Sequence, residues 1–323
     1  MRNPNKTLAA SVLCLALFGC GRSDQAVDDT AATGDTDRRP VIALIMKSLA
    51  NEFFVTMADG AREHHDGRSD QYRLIVNGIK NEIDLAQQVA LIDQMIAAEV
   101  DAIVIAPADS KAVVPALSRA AAAGIVVVNI DNRLDGGVLD EYDLDIPFVG
   151  PDNFLGARIV GDYLATMLAE GQQVAILEGV PTAYNSQRRS AGFQAAMADA
   201  GLEIVAQQSA QWDQTTAVTV TSGMLVQHPE LVAILAANDN MALGAAAAVT
   251  QAGKRDQVRI IGFDNISAVQ TLIREGSVLA TVDQHADLLA VYGIEYALEA
   301  LASDAALTDK STPVDLITAE TLD

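Results

Sequence analysis

In this 323-residue chain, side chains suited to polar recognition gather directly behind short apolar runs. In order they are Asn51-Glu52-Phe53-Phe54, Asp131-Asn132-Arg133, Pro151-Asp152-Asn153, Tyr184-Asn185-Ser186-Gln187-Arg188-Arg189, Gln211-Trp212-Asp213, Asn238-Asp239-Asn240, Gly262-Phe263-Asp264 and Asp283-Gln284. The set is rich in carboxylates and amides, with an occasional guanidinium and aromatic ring. A hydroxyl-rich molecule needs such a set. Asp accepts, Asn and Gln both donate and accept, and Arg donates in a planar fork. Aromatic faces cover the C–H patches between hydroxyls. Only 4% of the chain is aromatic, so Phe53, Phe54 and the lone tryptophan, Trp212, are informative where they fall.

Other chemistries fit less well. Asp131 and Asp264 could be paired as the acid and base of a glycosidase, but aspartates at strand ends more often bind hydroxyls or cap helices. Asp152 and Asp239 read as helix N-caps. The four histidines lack metal-ligand spacing. The acidic stretch 135–145 lacks the ordered oxygens of a calcium loop and reads as solvated. No glycine-rich phosphate loop joins a strand to a helix. The expectation is a binding protein without cofactor, metal or catalytic residue.

These stretches need a scaffold that brings them together. Apolar runs rich in β-branched residues predict strands at 41–46, 72–76, 102–106, 125–130, 148–149, 174–178, 203–208, 232–236, 258–262 and 279–282. Helical periodicity fills the gaps, as at 81–98, 152–169 and 187–200. Gly124, Gly171, Gly201 and Gly253 stand where helix C-caps belong. The alternation predicts an α/β fold with parallel sheets covered on both faces. So many strands exceed one ordinary sheet, which gives two doubly wound lobes with a break near Gly150-Pro151. In such sheets ligands bind beyond the carboxyl ends of the strands, where the polar stretches lie.

The ordered set Asn51-Glu52-Phe53-Phe54, Pro107-Ala108-Asp109-Ser110, Asp152-Asn153 with Gly161-Asp162-Tyr163, Arg189 before Gly192-Phe193, Asn238 to Gly244, Gly262-Phe263-Asp264 and Thr281-Val282-Asp283-Gln284 resembles the periplasmic ribose-binding protein family. That family shares its fold with the ligand-sensing part of lac-repressor-type regulators. The resemblance covers essentially all of 41–303. It implies the type I periplasmic binding protein fold, two lobes joined by a hinge. It also implies ligand contacts from Asn51, Phe53, Phe54 and Asp131 in the first lobe, from Trp212 in the second, and from Asn238, Asp264 and Gln284 as the remaining polar contacts. Arg189 is implied to be structural. Three positions depart from the ribose-binder pattern. Asn132 stands for an arginine, Gln187 aligns with the second-lobe arginine, and Glu52 replaces a proline. Asn132 and Gln187 are retained as ligand contacts. Losing forked donors makes a polyol, a cyclitol or another pentose or hexose at least as good a candidate as ribose.

The N-terminus speaks to compartment. Arg2 and Lys6 precede an apolar run from Leu8 to Gly19, too short for a comfortable membrane span, that ends in Leu17-Phe18-Gly19-Cys20. This resembles a lipobox, so 1–19 is read as a signal peptide and Cys20 as the lipidated residue of a flexible tether over 20–39. The only other cysteine, Cys14, lies in the removed segment, leaving no disulfide or thiol chemistry. The lobes are expected at 40–150 with 285–312, and at 151–284 with 313–323. A net charge of −22 repels nucleic acid. The reading is a periplasmic or cell-surface monomer, held to the membrane only by its lipid, that delivers its ligand to an ABC permease. The alternative hands the ligand signal to a chemoreceptor or a membrane sensor kinase.

Overall fold

The computed structural model describes residues 39–303 and 307–322. The expected signal peptide, Cys20 and all of the expected tether but Arg39 lie outside the described residues.

The chain alternates strand and helix almost throughout. The first lobe opens with β1 (Val41–Ser48), α1 (Glu52–Asp66), β2 (Arg73–Ile79), α2 (Leu85–Ala97), β3 (Ala102–Ile105), α3 (Val114–Ala122), β4 (Val126–Ile130), α4 (Gly136–Glu141) and β5 (Phe148–Pro151). The second contains α5 (Asn153–Ala165), β6 (Gln173–Glu178), α6 (Tyr184–Asp199), β7 (Glu203–Ser209), α7 (Gln214–Gln227), β8 (Leu231–Ala236), α8 (Asp239–Gln251), β9 (Arg259–Ile261), α9 (Ser267–Arg274) and β10 (Ala280–Asp283). The chain then runs through α10 (Ala286–Ala302), β11 (Lys310–Thr312) and β12 (Asp315–Thr318).

Two six-stranded sheets result, ordered β11-β5-β4-β3-β1-β2 and β12-β10-β9-β8-β6-β7. Every described pairing is parallel except β10 with β12. The chain passes between sheets after β5, after β10 and between β11 and β12, and α10 packs on α1, β3 and β4. This is the type I periplasmic binding protein fold that the sequence predicts.

Burial explains the strand sequences. β1 is buried at every position, because helices cover both faces. Its alternate residues serve two cores: Ile42, Leu44 and Met46 face one, Ala43 and Ile45 the other. The edge strands β2 and β7 are mostly half-buried or exposed and carry more polar residues. Gly124 and Gly201, directly after the C-caps of α3 and α6, take φ of 82° and 66°, a region that costs side-chain-bearing residues energy.

Local structure adds detail at three places. The acidic stretch contains α4, because Asp135 accepts from Val138 N at 3.0 Å and caps it, while Leu134 and Ile146 are buried. Gly150-Pro151 forms the end of β5, directly after which the chain leaves the first sheet for α5. The strands β11 and β12 are short and partly polar, so they carry no apolar run to read.

Candidate functional site

Between the sheets, at the carboxyl ends of their strands, lies a cleft with about 240 Å³ not filled by protein atoms. The first lobe lines it with Lys47, Asn51, Phe53, Phe54, Glu82 and Asp131, the second with Asn185, Arg189, Trp212, Asn238 and Asp264.

Each lobe carries one buried ion pair to the cleft. In the first, Lys47 Nζ lies 2.8 Å from Asp131 Oδ2, both side chains 3% exposed. In the second, Arg189 Nη1 lies 3.5 Å from Asp264 Oδ1. Arg189 is held rigidly: Nε donates to Asn153 Oδ1 at 2.8 Å, Nη1 donates to Ala237 O at 2.9 Å, and the guanidinium stacks 3.7 Å from the Phe263 ring centre. Its Nη2 is buried without a protein partner. Such an orphaned donor in a cleft wall is satisfied when a ligand oxygen accepts from it. Gln284 Nε2 donates to Asp264 Oδ1 at 2.7 Å and orients that carboxylate from behind. Burial pushes the Asp264 carboxyl well above the usual range, against the pull of Arg189.

Backbone strain marks the same residues. Asp131, Trp212 and Asp264 have φ of 60°, 64° and 133°. Positive φ is uncommon outside glycine and clusters at functional sites. Here it turns three side chains from strand ends into the cleft. The Trp212 ring fits because Gly179 has no side chain: a Cβ there would lie 2.1 Å from the indole. Gly179→Ala should therefore shift the tryptophan emission maximum and lower stability by about 1–3 kcal/mol, as overpacking does. Emission spectra with thermal melts check this. Unchanged spectra and stability would contradict the contact.

Phe53 and Phe54 meet edge to face, 5.1 Å apart, and are both core and cleft wall. Asn51 Oδ1 caps α1 by accepting from Phe53 N, while its Nδ2 donates to Glu82 Oε1 at 3.1 Å. Asn238 likewise caps α8 by accepting from Met241 N. Asp239, expected to be the cap, instead accepts from Thr281 Oγ1 and Ile266 N and ties α8 to its neighbours. Asp152 caps α5. Among the described residues no cluster of three or more His, Asp or Glu could hold a metal.

The structure does not bring Gln187 to the cleft. It is exposed and donates to Pro181 O. On α6 the residues facing the cleft are Asn185 and Arg189, one turn apart, and Gln187 points away. The second-lobe fork is therefore Arg189, whose expected role was structural. Asn132 is fully buried but its amide is committed to protein: Nδ2 donates to Pro107 O and Oδ1 accepts from Asn185 N. Sequence reasoning missed Lys47, Glu82 and Asn185. Applying the strand-end rule to β1 and β2 points to the first two, and helical spacing from Arg189 points to the third.

Glu82 offers a pH test. Desolvation raises its pKa from 4.5 to about 7, against the attraction of Lys47. The folded chain thus holds this proton more tightly than the unfolded chain. The cost of ionising it is absent below about pH 4.5, grows up to 7, and is full above 7, on the order of 3 kcal/mol. Glu82→Gln should match the parent in stability at pH 4.5 and exceed it at pH 8, measured by denaturant melts at both pH values. An equal difference at both would show that Glu82 ionises normally.

A model of the periplasmic binding protein domain matches residues 42–305. The chain is 51% identical over 294 residues to the D-ribose/D-allose-binding protein of Pseudomonas aeruginosa, covering 90% of this chain and 92% of that one. It is 53% identical, with a TM-score of 0.86, to an ABC transporter solute binding protein from Burkholderia multivorans, whose unknown ligand was built as alpha-D-erythrofuranose; the match covers 87% of this chain and 100% of that one. A solute binding protein from Actinobacillus succinogenes with bound D-allose is 35% identical, with a TM-score of 0.82, over 88% of this chain and 99% of that one.

Proposed function

The chain belongs to the periplasmic binding protein domain family, and on that premise we propose that its cleft captures a small aldose, of the D-ribose and D-allose class, for an ABC importer. The observation that carries this reading is the cleft wall itself: an ion pair and aromatic rings from each lobe around a small volume. Asp131, Asp264, Asn51 and Asn238 supply acceptors and amides for hydroxyls. Arg189 supplies a free donor, and Phe53, Phe54 and Trp212 cover the C–H faces. Gln284 acts by orienting Asp264. The more similar relatives, which take D-ribose or D-allose, favour aldoses over the cyclitols left open by sequence.

The lobes are assigned as 40–150 with 285–312 and 151–284 with 313–323, placing β11 and β12 on opposite sides of the last crossing. Export follows from the segment 1–19, and Cys20 is the lipid attachment site of a monomer that performs no catalysis. Import is preferred to sensing because the named relatives are transport proteins. Deleting the coding sequence should abolish high-affinity uptake of labelled D-ribose or D-allose. Intact uptake with lost chemotaxis or gene induction would favour the sensory reading.

A further inference from the structure

Most described helices cap their own N-termini. A side chain at the N-cap accepts from the first turn in α1, α2, α4, α5, α7 and α8. The N-caps of α6 and α9 are Ala183 and Ile266, and, as in α3 and α10, neither makes a side-chain cap bond. Both lie in the second lobe, and N–H groups at the start of each are taken by side chains of the first lobe. Tyr184 N donates to Ser110 Oγ at 2.9 Å, and Asn185 N donates to Asn132 Oδ1 at 3.2 Å. Ser267 N donates to Glu52 Oε1 at 2.8 Å. Ser110 and Asn132 are buried and hydrogen-bond each other at 3.4 Å.

From this geometry we infer that Ser110, Asn132 and Glu52 are positioning residues that set sugar affinity by capping α6 and α9 across the cleft, without touching the sugar. The inference rests on the sugar-capture reading above. When the lobes part, these N–H groups lose their only side-chain acceptors and must turn to water. When the lobes close, a hydroxyl, an amide oxygen and a carboxylate replace that water. The carboxylate also faces the positive end of the α9 dipole. The caps therefore favour the closed arrangement whether or not sugar is present. Apparent affinity scales with the population of the binding-competent state, so weakening the caps weakens every ligand by one common factor. A residue that touches the sugar changes selectivity between ligands instead.

Asn132 also holds the Pro107 carbonyl, so Glu52 and Ser110 are the cleaner targets. Loss of one cap corresponds to roughly 3- to 10-fold in an equilibrium constant. Glu52→Ala and Ser110→Ala should each raise the Kd for D-ribose and for D-allose by about that factor. The ratio between the two sugars should stay as in the parent. The loss should appear in the dissociation rate, followed by Trp212 fluorescence in stopped flow. Glu52→Gln, which keeps the acceptor, should recover most of the affinity. Melting temperatures confirm that each variant folds. Unchanged affinity in both alanine variants overturns the inference, and so does a loss confined to one sugar. If the parent binds neither sugar, the capture reading fails. X-ray scattering of the ligand-free proteins then still tests the caps. The Glu52→Ala, Ser110→Ala double variant should have a larger radius of gyration than the parent, and equal radii overturn the inference.

Discussion

Replacing Arg189 with methionine is expected to cost about 3–5 kcal/mol of stability and to abolish measurable sugar binding. The change leaves the Asp264 carboxyl buried without its cation, which is the costly way to break a buried pair. It also removes the donors held by Asn153 and Ala237 O, and the orphaned Nη2 offered to the ligand. Because total stability of a domain is only ~5–15 kcal/mol, the variant should melt well below the parent. Adding Asp264→Asn should recover part of the stability by neutralising the unpaired carboxylate. It should recover no binding, because the charged half of the recognition set is then gone. Calorimetry and melts on the single and double variants check this. A double variant that binds would show that the pair is structural only.

Replacing Asp131 with asparagine is expected to weaken sugar binding roughly 10- to 100-fold, in line with the ~1.5–3 kcal/mol of hydrogen bonds to charged groups. Asparagine tolerates the left-handed backbone that Asp131 adopts, so the effect reads the lost charge and not a refolded turn. Lys47 then lacks its anionic partner in the cleft wall, which adds a stability loss visible in the same melts. Asp131 and Arg189 lie in different lobes. Strong effects from both would mean that neither lobe recognises the sugar alone. A ligand can shift the open–closed balance only through such differential affinity. An Asp131→Asn protein that binds as tightly as its parent would place the ligand in the second lobe only.

The fold was legible because the strands are continuous apolar runs and the strand-end rule points to one cleft. That rule brought Asn51, Phe53, Phe54, Asp131, Trp212, Asn238 and Asp264 to the cleft wall. What it left out has physical reasons. Lys47 and Glu82 stand at or just past strand ends, but whether charged residues there are buried depends on partners distant in sequence. Gln187 and Arg189 are two residues apart, and the phase of α6 decides which faces inward. Asn132 and Glu52 were visible only as departures from a pattern, and their bonds to α6 and α9 cross between lobes. The segments β11 and β12 are too short and polar to declare themselves.

Every role proposed above follows from capture of one small sugar between two lobes. The most direct test is calorimetric titration of the purified protein with D-ribose, D-allose, other pentoses and hexoses, and myo-inositol, with Trp212 fluorescence recorded in parallel. D-ribose or D-allose should bind one to one, with a change in tryptophan emission at the same midpoint and weaker binding of the cyclitol. No heat and no emission change across the whole panel would contradict sugar capture.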